Sequence, residues 1–239
     1  FEIFQSQNVT TRGVVRVDGR PVTISSNGSA GHQLFITSGG LGYIYDLIAN
    51  TFTQIVDVNF PTFVASGLFF DQYFIALSAA TGFFHLSDLS DGLVWNGLDI
   101  GQESQFSDKV VAMTRTHDNL WLFGTRNASP WYNSGNASFP FQPIQGTLIE
   151  HGIGAPFSCI ELDNTAYWLG RDEHGGGIVW KANGYTPTRV STSAVEFALA
   201  QGKNLDQAVA YAYQEEGHLF YVLYVPSLPT TWVYDVSTD

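Results

Sequence analysis

The sequence predicts an all-β chain, a β-propeller of about five visible four-stranded blades, either complete or part of a larger propeller. Three observations predict it. First, an aromatic or apolar strand opening recurs five times: Leu34-Phe35-Ile36, Tyr73-Phe74-Ile75, Leu120-Trp121-Leu122, Tyr167-Trp168-Leu169 and Phe220-Tyr221-Val222. Second, taken on Phe35, Phe74, Trp121, Tyr167 and Phe220 the spacings are 39, 47, 46 and 53 residues, and about 40–50 residues is the period of a four-stranded blade. Third, 15% aromatic residues, 24 glycines and only 13% charged residues suit packed sheets joined by turns better than solvated helices.

The elements follow in order. Residues 1–21 read as a closing strand or as the remnant of a preceding blade, with 1–5 or 13–17 as the strand that would complete the last sheet. Asp18-Gly19, between Val14–Val17 and Pro21–Ile24, reads as a hairpin turn. Tight turns precede the last four markers at Asp71-Gln72, Asp118-Asn119, Asp163-Asn164 and Glu216-Gly217. Before those turns lie apolar strands at Phe63–Phe70, Val110–Thr116, Phe157–Leu162 and Ala208–Tyr213. A third strand follows each marker and ends near Tyr45-Asp46, Tyr132-Asn133, Trp180 with Asn183, and Tyr234-Asp235; the second repeat is degenerate there, with Phe84-His85 and Asp88. Fourth strands are expected at Phe52–Val56, Val94–Leu98, Phe141–Ile144 and Thr186–Val190, while the fifth repeat stops after its third strand, at Val236. A single blade cannot cover both of its faces, so each stacks on its neighbours, and 1–239 reads as one propeller domain. One segment breaks the pattern. Ser193-Ala-Val-Glu196 reads as a capping box opening a short helix, Ala194–Gln201, ended by Gly202 and placed as an interaction element between blades four and five.

Composition bounds the function. The net charge of −12 argues against a surface that grips nucleic acid, because phosphate affinity rests on clustered Lys and Arg. Cys159 stands alone, so an internal disulfide is excluded and a small core thiol in a reducing compartment is expected. No apolar run approaches the ~20 residues of a membrane span, and FEIFQSQNV has neither the basic start nor the apolar core of a secretion signal. The only methionine is Met113, so a processed or truncated piece is expected.

Catalytic and metal chemistry find no carrier. None of His32, His85, His117, His151, His174 and His218 has a histidine partner at ligand spacing. His117 and His218 sit beside blade turns, where a ring nitrogen can cap backbone groups. There is no Gly-x-Ser-x-Gly elbow, and Gly175-Gly176-Gly177 lacks the Lys-Ser/Thr and helix of a phosphate loop. Propeller glycosidases need two convergent carboxylates. Asp71, Asp118 and Asp163 recur at equivalent positions, but an Asp there also starts a tight turn. The arginine cluster that a sialidase adds would have to come from Arg115, Arg126, Arg171 and Arg189. Ser90-Asp91-Gly92-Leu93-Val94-Trp95 has the wrong spacing for a sialidase Asp box and reads as a hairpin turn with a packed tryptophan. The sequons at Asn8, Asn27, Asn127 and Asn136 carry no weight without a signal peptide. No catalytic residue, cofactor or metal ligand is expected.

The text of residues 118–236 is more specific than its fold. Its local signatures are Trp131-Tyr132-Asn133 with Phe139-Pro140-Phe141, Ile149-Glu150-His151-Gly152, Ala155-Pro156, Trp168-Leu169-Gly170, Ala182-Asn183-Gly184-Tyr185-Thr186-Pro187, Gln214-Glu215-Glu216-Gly217-His218 and Thr231-Trp232-Val233-Tyr234-Asp235. In this order they resemble the packaged-DNA-stabilisation proteins, tail accessory (hub) factors of short-tailed bacteriophages. Weaker matches run through Gly42-Tyr43-Ile44-Tyr45-Asp46 and Asp91-Gly92-Leu93-Val94-Trp95. The resemblance implies a structural virion tail component, assembled in the host cytoplasm. It would join the portal protein, stabilise packaged DNA, carry needle and spike proteins, and form a ring with further copies of itself. It implies passive contact with DNA in a channel, no membrane and no catalytic residue. Family members begin before Phe1 and continue past the position of Tyr234-Asp235, which puts the assembly surfaces in question. The rival from another class is a propeller glycosidase, sialidase-like protein or carbohydrate-binding module. A third reading is a protein-interaction scaffold in a bacterial cell.

Overall fold

In a computed structural model the described residues are 9–172 and 174–238, with the backbone of 2–3. They form a five-bladed β-propeller of antiparallel sheets in which strands run in chain order across each blade. Two compact units divide it, one of Phe1–Gln102 with Ala137–Phe139 and one of Glu103–Asn136 with Pro140–Asp239.

In the first unit β1 (Glu2–Ile3) pairs with β2 (Val9–Thr10). Blade one is β3 (Thr23–Ser26), the short helix α1 (Gly28–Gly31), β4 (Gln33–Ser38), β5 (Leu41–Asp46) and β6 (Thr51–Gln54). Blade two is β7 (Val64–Phe70), β8 (Tyr73–Ser78), β9 (Phe84–Asp88) and the long, twice-bulged β10 (Asp91–Gly101). Phe35, Ile44, Phe60, Phe74 and Trp95 form the core between the two blades. Beside that core the hydroxyls of Thr23 and Ser25 accept the backbone N–H groups of Gly67 and Phe69, at 2.9 and 2.8 Å. A side chain at Gly67 would strike the Phe35 ring, so this close approach requires glycine.

The second unit holds the other three blades. Blade three is β11 (Ala112–Arg115), β12 (Leu120–Phe123), β13 (Ala128–Asn133) and β14 (Phe141–Pro143). Blade four is β15 (Ile160–Leu162), β16 (Thr165–Arg171), β17 (Gly177–Asn183) and β18 (Thr186–Arg189). After α2 (Ser193–Leu199), blade five is β19 (Val209–Glu215), β20 (His218–Tyr224) and β21 (Thr231–Asp235). It has three strands, as predicted, and among the described residues none pairs with the outer edge of β21. No helix among the described residues is long and apolar enough to cross a membrane.

The turns explain why these strands pair as they do. Asp71-Gln72, Asp163-Asn164 and Glu216-Gly217 all have positive φ at both positions, the I′ geometry that matches strand twist. Four expectations are corrected. Asp118-Asn119 is not a two-residue turn: β11 and β12 are joined by Thr116–Asn119, closed by the Thr116 N–H on the Asn119 carbonyl at 2.9 Å. Asp18-Gly19 bends the chain, with Asp18 accepting the Arg20 N–H, but Val14–Val17 is not a strand and β3 pairs with β4 instead. The helix begins one residue earlier than a capping box at Ser193 would place it. Its N-cap is Thr192, whose hydroxyl accepts the Val195 N–H, and it ends at Ala200 in right-handed conformation rather than on Gly202. Finally, Phe74 is out of register with its supposed equivalents. It packs on Phe35 of the preceding blade, ring centroids 5.5 Å apart, whereas Trp121 and Tyr167 point to the following one. Counted from the I′ turns, Ile75 corresponds to Tyr167. Strand side chains alternate, so a one-residue slip changes the face.

Candidate assembly surfaces

Where two blades of one unit stack, the face turned to the following blade is the forward face and the opposite one the back face. In blade three the forward face is Trp121, Phe123 and Ala128, buried against Ala166, Trp168 and Ala182 of blade four. In blade four it is Tyr167, Leu169 and Val179, buried against Tyr221 and Leu223 of blade five. Trp121 is therefore inter-blade packing. Trp131 is also buried, and its ring N–H donates to the carboxylate of Glu103 at 2.6 Å. It thereby holds the connector into the second unit, a role the sequence did not reveal.

Blade five repeats the forward face. Register through the I′ turns places Tyr213, Phe220, Val222 and Val233 where blade four has Ile160, Tyr167, Leu169 and Val179. Here the outer strands of the face are exposed, Tyr211 at 54% and Val233 at 56% with Tyr213 and Tyr224 exposed as well, while on the central strand Phe220 is half-buried and Val222 is buried at 2%. The rings form a ladder. Tyr211 stacks near Tyr213 at 6.3 Å, Tyr213 on Phe220 at 4.9 Å, and His218 beside Phe220 at 6.0 Å. The His218 Nδ1 lies 2.7 Å from the Asp235 carboxylate. Partial burial works against ionising Asp235, but the Ser237 N–H and His218 outweigh it and hold the carboxyl below its ordinary range.

A second apolar surface lies on the first unit. Residues 11–22 run over the back face of blade one. The Arg16 N–H donates to the Tyr43 hydroxyl at 2.9 Å, Ser38 donates to the Arg16 carbonyl at 2.7 Å, and Gly13 rests on the Phe52 ring. The outer side of this layer carries Val14 and Val17, 81% and 78% exposed, beside Val22 and Ile24. Between blades four and five, α2 buries Leu199 in the core and leaves Phe197 73% exposed. Arg189 grips the Glu196 carboxylate, which also accepts the Ser191 hydroxyl at 2.7 Å. Those bonds hold Glu196 below the usual carboxylate range.

The residues weighed for chemistry lie elsewhere. Asp71 and Asp163 occupy positive-φ turn positions, and Asp118 sits in the four-residue turn with His117 Nδ1 at 2.5 Å. His117 and His218 thus face carboxylates rather than capping backbone. His151 stacks on Trp180 at 4.2 Å, and His85 is half-buried, its burial disfavouring the protonated ring. Arg115 and Arg126 lie in blade three and its loop, Arg171 reaches Asp206 at 3.8 Å, and Arg189 is engaged by Glu196. Asp172 accepts the N–H groups of His174 and Gly176, making the triple-glycine stretch a strand connection. Trp95 is buried, its ring N–H on the Gly92 carbonyl at 2.9 Å. Burial pushes the Cys159 thiol up to about 12, so it is not nucleophilic at neutral pH. Among the described residues no three His, Cys, Asp or Glu side chains are grouped to hold a metal ion. Asn8 lies outside the described residues.

Comparison with known proteins adds what geometry does not. A family model described as Bacteriophage P22 Gp10, beta-propeller, matches residues 5–239. No curated protein matches the chain. Among solved structures it is similar to the N-terminal domain of Nup159 (TM-score 0.52, 11% identity, 90% of this chain and 60% of that one). It is also similar to the extracellular domain of BT4673 from B. thetaiotaomicron (0.47, 12%, 83% and 25%) and to Kluyveromyces lactis Hsv2 (0.44, 10%, 90% and 62%). The chain spans less than two thirds of each of these, and at such identity the Nup159 likeness speaks for fold alone.

Proposed function

The chain belongs to the Bacteriophage P22 Gp10 β-propeller family, and from that premise we propose that it is a tail hub: a structural part that joins the portal, retains packaged DNA and carries other tail proteins. The single observation that carries this reading is the family match over residues 5–239. Its activity is mechanical. Stacked blades hold their strands rigid through cores such as Trp121–Trp168 and Tyr167–Tyr221, and the exposed surfaces then meet portal, needle, spike and further copies. Assembly takes place in the host cytoplasm before the part enters the virion. The charge of −12 keeps passing DNA from adhering, by repulsion that salt screens over about 8–10 Å.

Co-expression with the portal protein tests the reading. The expected result is stoichiometric rings on the portal in electron micrographs, and no retention of duplex DNA in a low-salt gel shift. Persistent monomers that never bind portal would sink the hub reading. DNA retention would remove only the electrostatic part.

A further inference from the structure

We propose that Asn183-Gly184, in the turn between β17 and β18, is a self-modification site: the asparagine amide is lost to a succinimide that opens to isoaspartate, and the change unties Tyr185 from blade three. The inference is independent of the tail reading and rests on turn chemistry within the second unit.

Asparagine before glycine is prone to this reaction because no side chain hinders the following backbone nitrogen. The chain has three such steps, Asn27-Gly28, Asn96-Gly97 and Asn183-Gly184. The fold holds two of them shut. Asn27 accepts the Gln33 N–H on Oδ1 at 2.8 Å and donates from Nδ2 to the Ser90 carbonyl at 3.0 Å, while the Gly28 N–H donates to the Ser26 hydroxyl at 3.0 Å. Electrophile, leaving group and nucleophile are all engaged. Asn96 accepts the Leu98 N–H at 3.0 Å and lies beside the Asp99 carboxylate, whose charge opposes the oxyanion that attack creates. Asn183 has neither restraint. It and Gly184 are exposed, and among the described residues no hydrogen bond engages the Asn183 amide or the Gly184 N–H. Gly184, at φ 61°, takes the first central position of a two-residue hairpin closed by the Asn183–Thr186 pair, with nothing within 4 Å of where a side chain would stand.

The reaction needs only water. The Gly184 nitrogen gives its proton to solvent and bonds to Asn183 Cγ. The Cγ–Nδ2 bond breaks, ammonia leaves, and the succinimide ring closes. Water then opens the ring. Cleavage between the nitrogen and the Asn183 backbone carbonyl carbon gives isoaspartate; cleavage at Cγ gives aspartate. Nothing is oxidised or reduced, and the turn gains one negative charge. Isoaspartate also adds a methylene to the main chain, which so short a hairpin cannot absorb without moving Tyr185. The Tyr185 hydroxyl donates to Asn119 Oδ1 at 3.2 Å, and its ring lies 6.3 Å from that of Trp121. Moving it releases the turn between β11 and β12. A second tie, the His117 N–H on Asn164 Oδ1 at 2.6 Å, and the buried core of Trp121 and Trp168 keep the two blades stacked, so the change loosens and does not unfold.

Ageing the folded 239-residue chain in mildly alkaline buffer, followed by peptide mapping that separates isoaspartate from aspartate, tests it. Asn183 should convert at least about tenfold faster than Asn27 or Asn96, because those two must first break hydrogen bonds to reach the attack geometry. In urea the three rates should converge, since the dipeptide is the same. Asn183→Gln, whose longer side chain must close a larger ring, should abolish conversion there. In the aged chain the Thr116–Asn119 amides should exchange with solvent faster than in aged Asn183→Gln. Asn183→Asp, which carries the charge without the added methylene, should keep them protected. Should a variant misfold by circular dichroism, freshly purified chain serves as the unmodified reference.

Equal rates at the three steps of the folded chain, or earlier conversion at Asn27 or Asn96, would overturn the proposal. So would an Asn183 that converts in urea but not in the folded chain, which would mean that the hairpin holds it out of reach. Unchanged exchange at Thr116–Asn119 after isoaspartate has accumulated would overturn the untying of Tyr185, as would faster exchange that Asn183→Asp reproduces. None of these results bears on portal binding, and a chain that never binds portal leaves this site standing.

Discussion

Blade four and blade five carry one face in two circumstances. Ile160, Tyr167, Leu169 and Val179 on blade four correspond to Tyr213, Phe220, Val222 and Val233 on blade five. Leu169 and Val222 are buried alike, yet Tyr167 is 2% exposed where Phe220 is half-buried, and Val179 is buried where Val233 is 56% exposed. The difference is not in the strands. It lies in whether another sheet covers them. Side chains of one kind are therefore buried in one place and exposed in the other, and mutations at matched positions should differ in their cost to stability.

The largest expected contrast is at the aromatic marker. Tyr167→Ala removes a ring packed on Tyr221 at 5.6 Å and leaves a cavity, which should cost about 3–5 kcal/mol by analogy with buried aromatics. Phe220→Ala, on the open face, should cost about 1 kcal/mol or less. Urea midpoints of the two variants measure both; equal losses would mean that blade five is covered in the isolated chain. A smaller contrast sits two residues before Ile160, where Ser158 in the turn leading into β15 matches Tyr211. The buried Ser158 hydroxyl donates to the Ala155 carbonyl at 2.7 Å and accepts the Leu169 N–H at 3.0 Å. Ser158→Ala strands that N–H, at about 1–3 kcal/mol, while Tyr211→Ala should change stability by no more than about 0.5 kcal/mol.

These contrasts also mark what was legible in the sequence. Strands and turns were, because alternation and paired turn residues such as Asp163-Asn164 are local properties. Facing was legible only where one aromatic stood alone on its side of the strand. At Tyr73-Phe74-Ile75 the bulky residues are consecutive, so either face fits, and Phe74 was the wrong marker. The cap was missed because Thr192 and Ser193 both offer a hydroxyl, and only backbone geometry chooses between them. The open face of blade five was invisible for a deeper reason. Exposure depends on what lies opposite, and nothing within Tyr211–Val233 states that.

The smallest effect concerns the element that seals the covered face. Among the described residues helix α2 has no counterpart over blade five. It adds Leu199 to the core between blades four and five, and Glu196 fastens it to Arg189 and Ser191. The Arg189 hydrogen bond comes first among the influences that hold Glu196 below its usual range. A depressed folded-state value means that the unfolded chain takes up the proton more readily. The stabilisation is thus complete at neutral pH, begins to fail as pH drops below the ordinary glutamate value of about 4.3, and is gone once pH passes the lowered one. Because Arg189 is exposed, solvent screening keeps the pair's contribution small. The expected outcome is a loss of protection in α2 amides between neutral and acidic pH, read by hydrogen exchange corrected for intrinsic rates, while the β16 and β20 amides stay protected. Arg189→Met should abolish that pH dependence without opening the blades. If β16 and β20 open together with α2, the helix is part of the blade core and not a seal laid over it.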